Sequence, residues 1–247
     1  MTGNDNSQTV AQLLIDAVER ADVRELRELL RQTDSQFVDT VMRNGWPLLF
    51  LAKEPDVLDV LRALLEYGAD PNARGPDGYH MLHFSQSKFI DEVSLLLESG
   101  ADIDAELTCG ETPLYSAIRS LDAPLVQFFI DRGADIEHSA LELGMTPLHQ
   151  AVFTDFGTEV PEILLNAGAS PNSRAKNGMT PLSYAAISSP RLVKLLLRFG
   201  ADPAIRDDAG LNAFDTALCF NRDDIAKILV GWTKNRARKK EDNSEWR

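Results

Sequence analysis

Four histidines, two cysteines and 38 carboxylates are the side chains in these 247 residues that could hold a metal, move a proton or attack a carbonyl. Each of those chemistries needs several groups converging on one point, and spacing is the first test of it. His80, His83, His138 and His149 are spread along the chain, and nothing places them around one centre. Cys109 and Cys219 belong to no Cys-x-x-Cys or Cys/His cluster and read as two reduced thiols. The chain contains no Gly-x-Ser-x-Gly, no His-Glu-x-x-His, no phosphate-binding Gly-rich loop with Lys-Ser/Thr and no calcium-loop spacing. Solubility explains the scattered carboxylates more simply than acid–base pairing does. The expectation is a non-catalytic chain without metal or cofactor.

Composition narrows the partners. Hydrophobic residues make up 44% of the chain, which suits a folded protein of one or two domains. No window approaches the roughly 18 apolar residues of a membrane helix. The opening MTGNDNSQTV lacks the basic and apolar regions of a secretory signal. A cytoplasmic location without membrane contact is therefore expected. Net charge is −13; residues 233–247 hold six Lys/Arg and three Asp/Glu, so the rest carries −16. Such a body repels phosphate backbones, so nucleic acid is not expected there, and a basic partner is favoured. The run Lys234 to Lys240, KNRARKK, reads as a solvated tail or as an address for an anionic surface or the nucleus.

The elements that must position any site are written as a repeat. Aligned on a glycine, the chain reads GWPLLFLAK from Gly45, GYHMLHFSQ from Gly78 and GETPLYSAI from Gly110. It continues GMTPLHQAV from Gly144, GMTPLSYAA from Gly178 and GLNAFDTAL from Gly210, at intervals of 33, 32, 34, 34 and 32 residues. A second phrase keeps step: LLEYGAD, LLESGAD, FIDRGAD, LLNAGAS and LLRFGAD. Two phrases in register imply stacked supersecondary units. Gly-x-Thr-Pro reads as a turn entering a helix, with the Thr hydroxyl as cap and Pro in the first turn. Paired leucines before Gly-Ala-Asp read as the end of a second helix, its glycine in the left-handed conformation.

These phrases identify a resemblance to the ankyrin repeat family, over about Gln8 to Trp232. Thr112-Pro113-Leu114, Thr146-Pro147-Leu148-His149 and Thr180-Pro181-Leu182 carry one hallmark, and the five Gly-Ala-Asp/Ser markers carry the other. The resemblance implies an all-α solenoid of about seven helix–turn–helix units, caps included, with projecting hairpin loops. The boundaries expected are an N-terminal cap over 8–34, middle repeats over about 35–202, a C-terminal cap repeat over 203–232 and a flexible basic tail over 233–247. It also gives His83 and His149 a structural place, bonding within and between repeats.

Partner binding is implied on the concave surface made by the fingers and first helices. The residue after each repeat glycine points there: Trp46, Tyr79, Glu111, Met145, Met179 and Leu211. Phe153, Phe156 and Ile187, at the ends of first helices, join them. The alternative for Phe153, Phe156 and Ile187 is folding back onto their own helices; for Met145 and Met179 it is burial between adjacent fingers. An acidic rim of Asp77, Glu106, Glu111, Glu142, Asp207 and Asp208 would steer a basic partner. The expected function is a protein–protein interaction module, monomeric when free, serving as a dedicated inhibitor or immunity-type protein. The alternatives are a multi-partner adaptor or scaffold, and a nucleic-acid-associated regulator acting through the tail.

Overall fold

Wherever Gly-x-Thr-Pro occurs, the chain enters an α-helix; in two of the three repeats without it, the first helix shrinks to a 3-10 turn. A computed structural model describes residues 3–52, 57–140, 142–154 and 157–244. They divide into two compact units, Met1–Ser116 and Ala117–Arg247.

The first unit opens with α1 (Gly3–Glu19) and α2 (Val23–Arg31), followed by the single turn α3 (Ser35–Val38). Asp22 caps α2 by accepting from the Glu25 N–H at 2.9 Å. A hairpin of two-residue strands follows, β1 (Met42–Arg43) and β2 (Trp46–Pro47), with Arg43 opposite Trp46. In the Gly45 repeat, Pro47 stands where the capping Thr would be, and only a 3-10 turn forms, Leu48–Leu51, before α4 (Val57–Glu66). The Gly78 repeat puts His80 at the cap and likewise forms a 3-10 turn, Met81–Phe84. Another short turn, Ser87–Phe89, leads into α5 (Ile90–Glu98), and α6 (Pro113–Arg119) begins the next repeat. The helix pair implied for every repeat is thus corrected at these two: without a hydroxyl cap the N–H groups of a first turn lose their partner. Packing runs α1 on α2, α2 on α4 and α4 on α5, burying Leu14, Val18, Leu26, Leu61, Leu64 and Leu96.

The second unit contains α7 (Ala123–Asp131), α8 (Pro147–Phe153), α9 (Glu159–Asn166), α10 (Pro181–Ser188), α11 (Pro190–Arg198), α12 (Ala213–Cys219) and α13 (Asp223–Ser244). First helices stack in the order α8, α10, α12, while α7 lies on α9 and α11 on α13. Thr180 caps α10 through the Ser183 N–H. The last repeat has no Thr-Pro, yet α12 starts cleanly. Asn212 accepts from Phe214 and Asp215 N–H, both at 3.0 Å, and Asp215 accepts in return from the Asn212 N–H at 3.2 Å. Helix α13 runs on to Ser244, through most of the segment expected to be a flexible tail. Its Lys, Arg, Ala and Glu are strong helix formers, and neither Gly nor Pro interrupts them after Gly231.

Two devices tie repeat to repeat. Second helices end in a left-handed glycine: at Gly200 (φ 90) the Ala201 N–H donates to the Leu196 carbonyl at 3.0 Å. Asn72 in the first unit and Asn172 in the second each bridge to the following repeat. Asn172 donates to the Gly200 carbonyl at 3.3 Å and accepts from the Asp202 N–H at 2.8 Å.

His149, fully buried, is the other tie. Its Nε2 lies 3.2 Å from the Met179 carbonyl, which can only accept, so that nitrogen carries the proton. Its Nδ1 accepts from the Thr146 amide at 3.2 Å and from the Thr146 hydroxyl at 2.8 Å. Burial pushes its pKa from 6.5 down to about 4. Between those values the unfolded chain takes a proton that the folded ring refuses, so stability falls as pH falls across the window. The loss expected from this ring by pH 4 is about 3 kcal/mol. Urea unfolding from pH 7 to pH 4 measures it, and a His149→Gln chain should lose this part of the slope. Equal slopes in the two chains would contradict the assignment.

Candidate functional site

In the first unit the two shortened repeats bring four aromatic rings together. The β1–β2 hairpin turns through Asn44 and Gly45, both at positive φ (55 and 82), the geometry that matches strand twist in a two-residue turn. That turn sets Trp46 over the neighbouring finger. The finger itself closes through Asp77 and Gly78, again at positive φ (56 and 78), with the Gly75 N–H donating to the Tyr79 carbonyl at 2.8 Å. Trp46 then lies 5.2 Å from Phe50, 5.7 Å from Phe84 and 6.4 Å from Tyr79, centroid to centroid. Tyr79 and Phe84 are 5.0 Å apart, and Phe50 meets Phe84 edge-on at 6.1 Å. Trp46, Phe50 and Tyr79 are half-buried, while Phe84 is 47% exposed. A patch of stacked rings open to water is costly unless something covers it.

Gly75 makes the arrangement possible. A Cβ there would lie 2.6 Å from the Trp46 ring, and its own φ of −83 is open to any residue. The glycine is thus required by the ring and not by the backbone. Beneath the patch, His83 donates through Nε2 to the Glu111 carbonyl at 3.2 Å, as His149 does to Met179 in the second unit. His80 is buried, and neither of its ring nitrogens has a hydrogen-bond partner among the described residues. Burial, then the nearby Arg74 guanidinium, push its pKa below the usual histidine range, so it is neutral at pH 7.

The structure separates the residues expected to face a partner. Trp46 and Tyr79 come together, with Phe50 and Phe84 added. Glu111 is corrected: it is 8% exposed, and its backbone closes the finger by accepting from the Leu107 N–H. Met145 is corrected too: it is 2% exposed, on a backbone that pairs with Ala140 through two 2.9 Å bonds. Met179, Ile187 and Leu211 are half-buried, and Phe153 is 63% exposed, edge-on to Tyr184. Phe156 lies outside the described residues.

The acidic rim thins in the same way. Asp77, Glu106 and Glu142 are exposed, Asp208 pairs with Arg174 at 3.3 Å, and Asp207 turns inward to accept from the Leu211 N–H. Among the described residues no group of three or more His, Cys, Asp or Glu is placed to hold a metal. Phe50 and Phe84 were missed because both were read as helix interior. One signal existed: Phe50 occupies the histidine column of the repeat, whereas the column of Phe84 also holds Leu51 and Tyr184 and gives none.

Comparison with known proteins agrees with this architecture. The family model described as ankyrin repeats (3 copies) matches residues 81–175 and 154–241, and the single ankyrin repeat model matches 44–76. The ankyrin repeat protein FPV031 of fowlpox virus is 34% identical over 184 residues, 71% of this chain and 54% of that protein. The human SH3 and multiple ankyrin repeat domains protein 2 is 42% identical over 178 residues, 70% of this chain and 10% of that protein. This chain thus spans about half the length of the first relative and a small part of the second. The solved ankyrin repeat domain of Bcl-3, a member of the IkappaB protein family, superposes with a TM-score of 0.76 at 26% identity, covering 83% of this chain and 93% of that one.

Gly75→Ala should displace the Trp46 ring without unfolding the unit. The expected result is a changed near-ultraviolet circular dichroism spectrum with the far-ultraviolet spectrum intact. No near-ultraviolet change would mean that the ring does not rest on this glycine.

Proposed function

This chain belongs to the ankyrin repeat family, and we propose that it is a non-catalytic module that masks one basic protein partner, in the manner of a dedicated inhibitor or immunity protein. Ankyrin repeats are protein–protein interaction modules, so the class follows from the family and the particular role is the proposal. The aromatic patch of Trp46, Phe50, Tyr79 and Phe84 carries it. Aromatic side chains are enriched among the residues that dominate binding energy, and here they sit at the finger and first-helix positions of adjacent repeats. The charge of −13 and the Asp77 carboxylate, which has no partner among the described residues, favour a basic surface opposite. No helix of the described residues is long and apolar enough to cross a membrane. We place the protein in the cytoplasm as a monomer when free.

An adaptor reading has one observation of its own. On the second unit, Arg191, Lys194 and Arg198 line one face of α11 beside Thr158 and Glu162, and among the described residues only Arg198 is in an ion pair there, with Glu162. Such a basic stripe on an acidic chain would suit a second, acidic partner.

Affinity capture separates the two readings. An inhibitor should return one abundant basic partner, whereas an adaptor should return several. Against the captured partner, Trp46→Ala combined with Tyr79→Ala should weaken binding by about 2–4 kcal/mol, mainly through a faster off-rate. Asp77→Lys should instead slow association and reduce its salt dependence. Undiminished affinity in a folded double variant would sink the placement.

A further inference from the structure

The shortened first helix of the Gly78 repeat borders an apolar space. A bowl of about 200 Å³ lies between α4, α5 and the Met81–Phe84 turn. Leu61, Val93 and Leu96 form its floor and are buried; Met81, Phe84 and Phe89 form much of its wall and are partly exposed. Phe84 is shared, one of the rings of the aromatic patch as well as a wall of the bowl. An enclosed apolar cavity of roughly 150 Å³ is large enough to take up benzene, so this space admits a phenyl or leucyl group.

One polar feature sets what else would be recognised. Glu92, in the first turn of α5, lines the bowl, is partly exposed, and has no hydrogen-bond or ion-pair partner among the described residues. An ionised carboxylate at the edge of an apolar space attracts a cation and repels an anion, more strongly as water is displaced. We propose that the bowl receives an apolar anchor side chain of the partner, with a lysine or arginine beside it that meets Glu92. This rests on the partner-binding reading above and narrows it: the partner would carry an apolar residue next to a basic one, and the aromatic patch would continue the contact across Phe84.

Phenethylamine, a phenyl group two carbons from an ammonium, is a suitable probe, with phenylacetate as its anionic counterpart. Titration of the full chain, followed by the methyl resonances of Met81, Leu61 and Leu96, should show saturable binding of the amine, at least tenfold tighter than of the acid. Glu92→Gln, at a partly exposed position, should bring the two within about threefold. Ala52→Leu, on the bowl's wall, should weaken the amine tenfold or more while the chain stays folded. No saturable shift, or equal affinity for amine and acid in the parent chain, would overturn the proposal. The captured partner gives a separate arm. If Ala52→Leu removes probe binding and leaves partner affinity unchanged, the bowl is not the anchor site, while the aromatic patch reading stands. Loss of both supports the anchor.

Discussion

A pair of short helices cannot bury its own apolar faces, so each repeat depends on the next for its core. In the Gly78 and Gly144 repeats this dependence is fixed by a single bond from a buried ring. His83 donates to the Glu111 carbonyl, and His149 donates to the Met179 carbonyl, each on the following repeat. Both ring nitrogens are engaged, so the imidazole sets register in two directions at once: it holds its own cap through Nδ1 and the neighbour's finger through Nε2. Replacing it with a ring that cannot donate, as Phe50 does in the Gly45 repeat, removes the tie and sends the side chain elsewhere.

That departure is where the molecule becomes interesting for function. The Gly45 and Gly78 repeats give up the Thr-Pro cap, form 3-10 turns in place of α-helices, and carry Trp46, Phe50, Tyr79 and Phe84. Sequences that specify one fold keep local preference and global packing in agreement, and departures from that agreement tend to mark sites under a second demand. Here the local cost is a lost cap and a shorter helix. What replaces it is ring-on-ring packing and an apolar bowl, both facing water.

The last repeat departs in another way and shows the contrast. It also lacks Thr-Pro, but Asn212 and Asp215 rebuild the cap, and α12 forms in full. Its replacement restores the rule that the first unit's repeats abandon. Loss of the Thr-Pro phrase therefore does not by itself open a surface; loss of any side chain able to cap does.

The period, the turn glycines and the helix ends were legible in the chain, because each depends on residues at a fixed short spacing; the bridging place of His83 and His149 came from the resemblance to the ankyrin repeat family. The aromatic character of Trp46 and Tyr79 was legible too, since Gly-x-Thr-Pro leaves that position unconstrained. Tertiary structure decided the rest. Met145 and Trp46 hold the same place in the repeat, yet one is buried and the other stacks on an open patch. Glu111 reads as a rim charge and lies inside. The repeat position alone does not distinguish these residues: whether a side chain meets water depends on what stands beside it, as Gly75 of the next finger does where it makes room for the Trp46 ring. Spacing within a repeat is written in the chain, but exposure is a property of the space between repeats, and that space exists only once they are stacked.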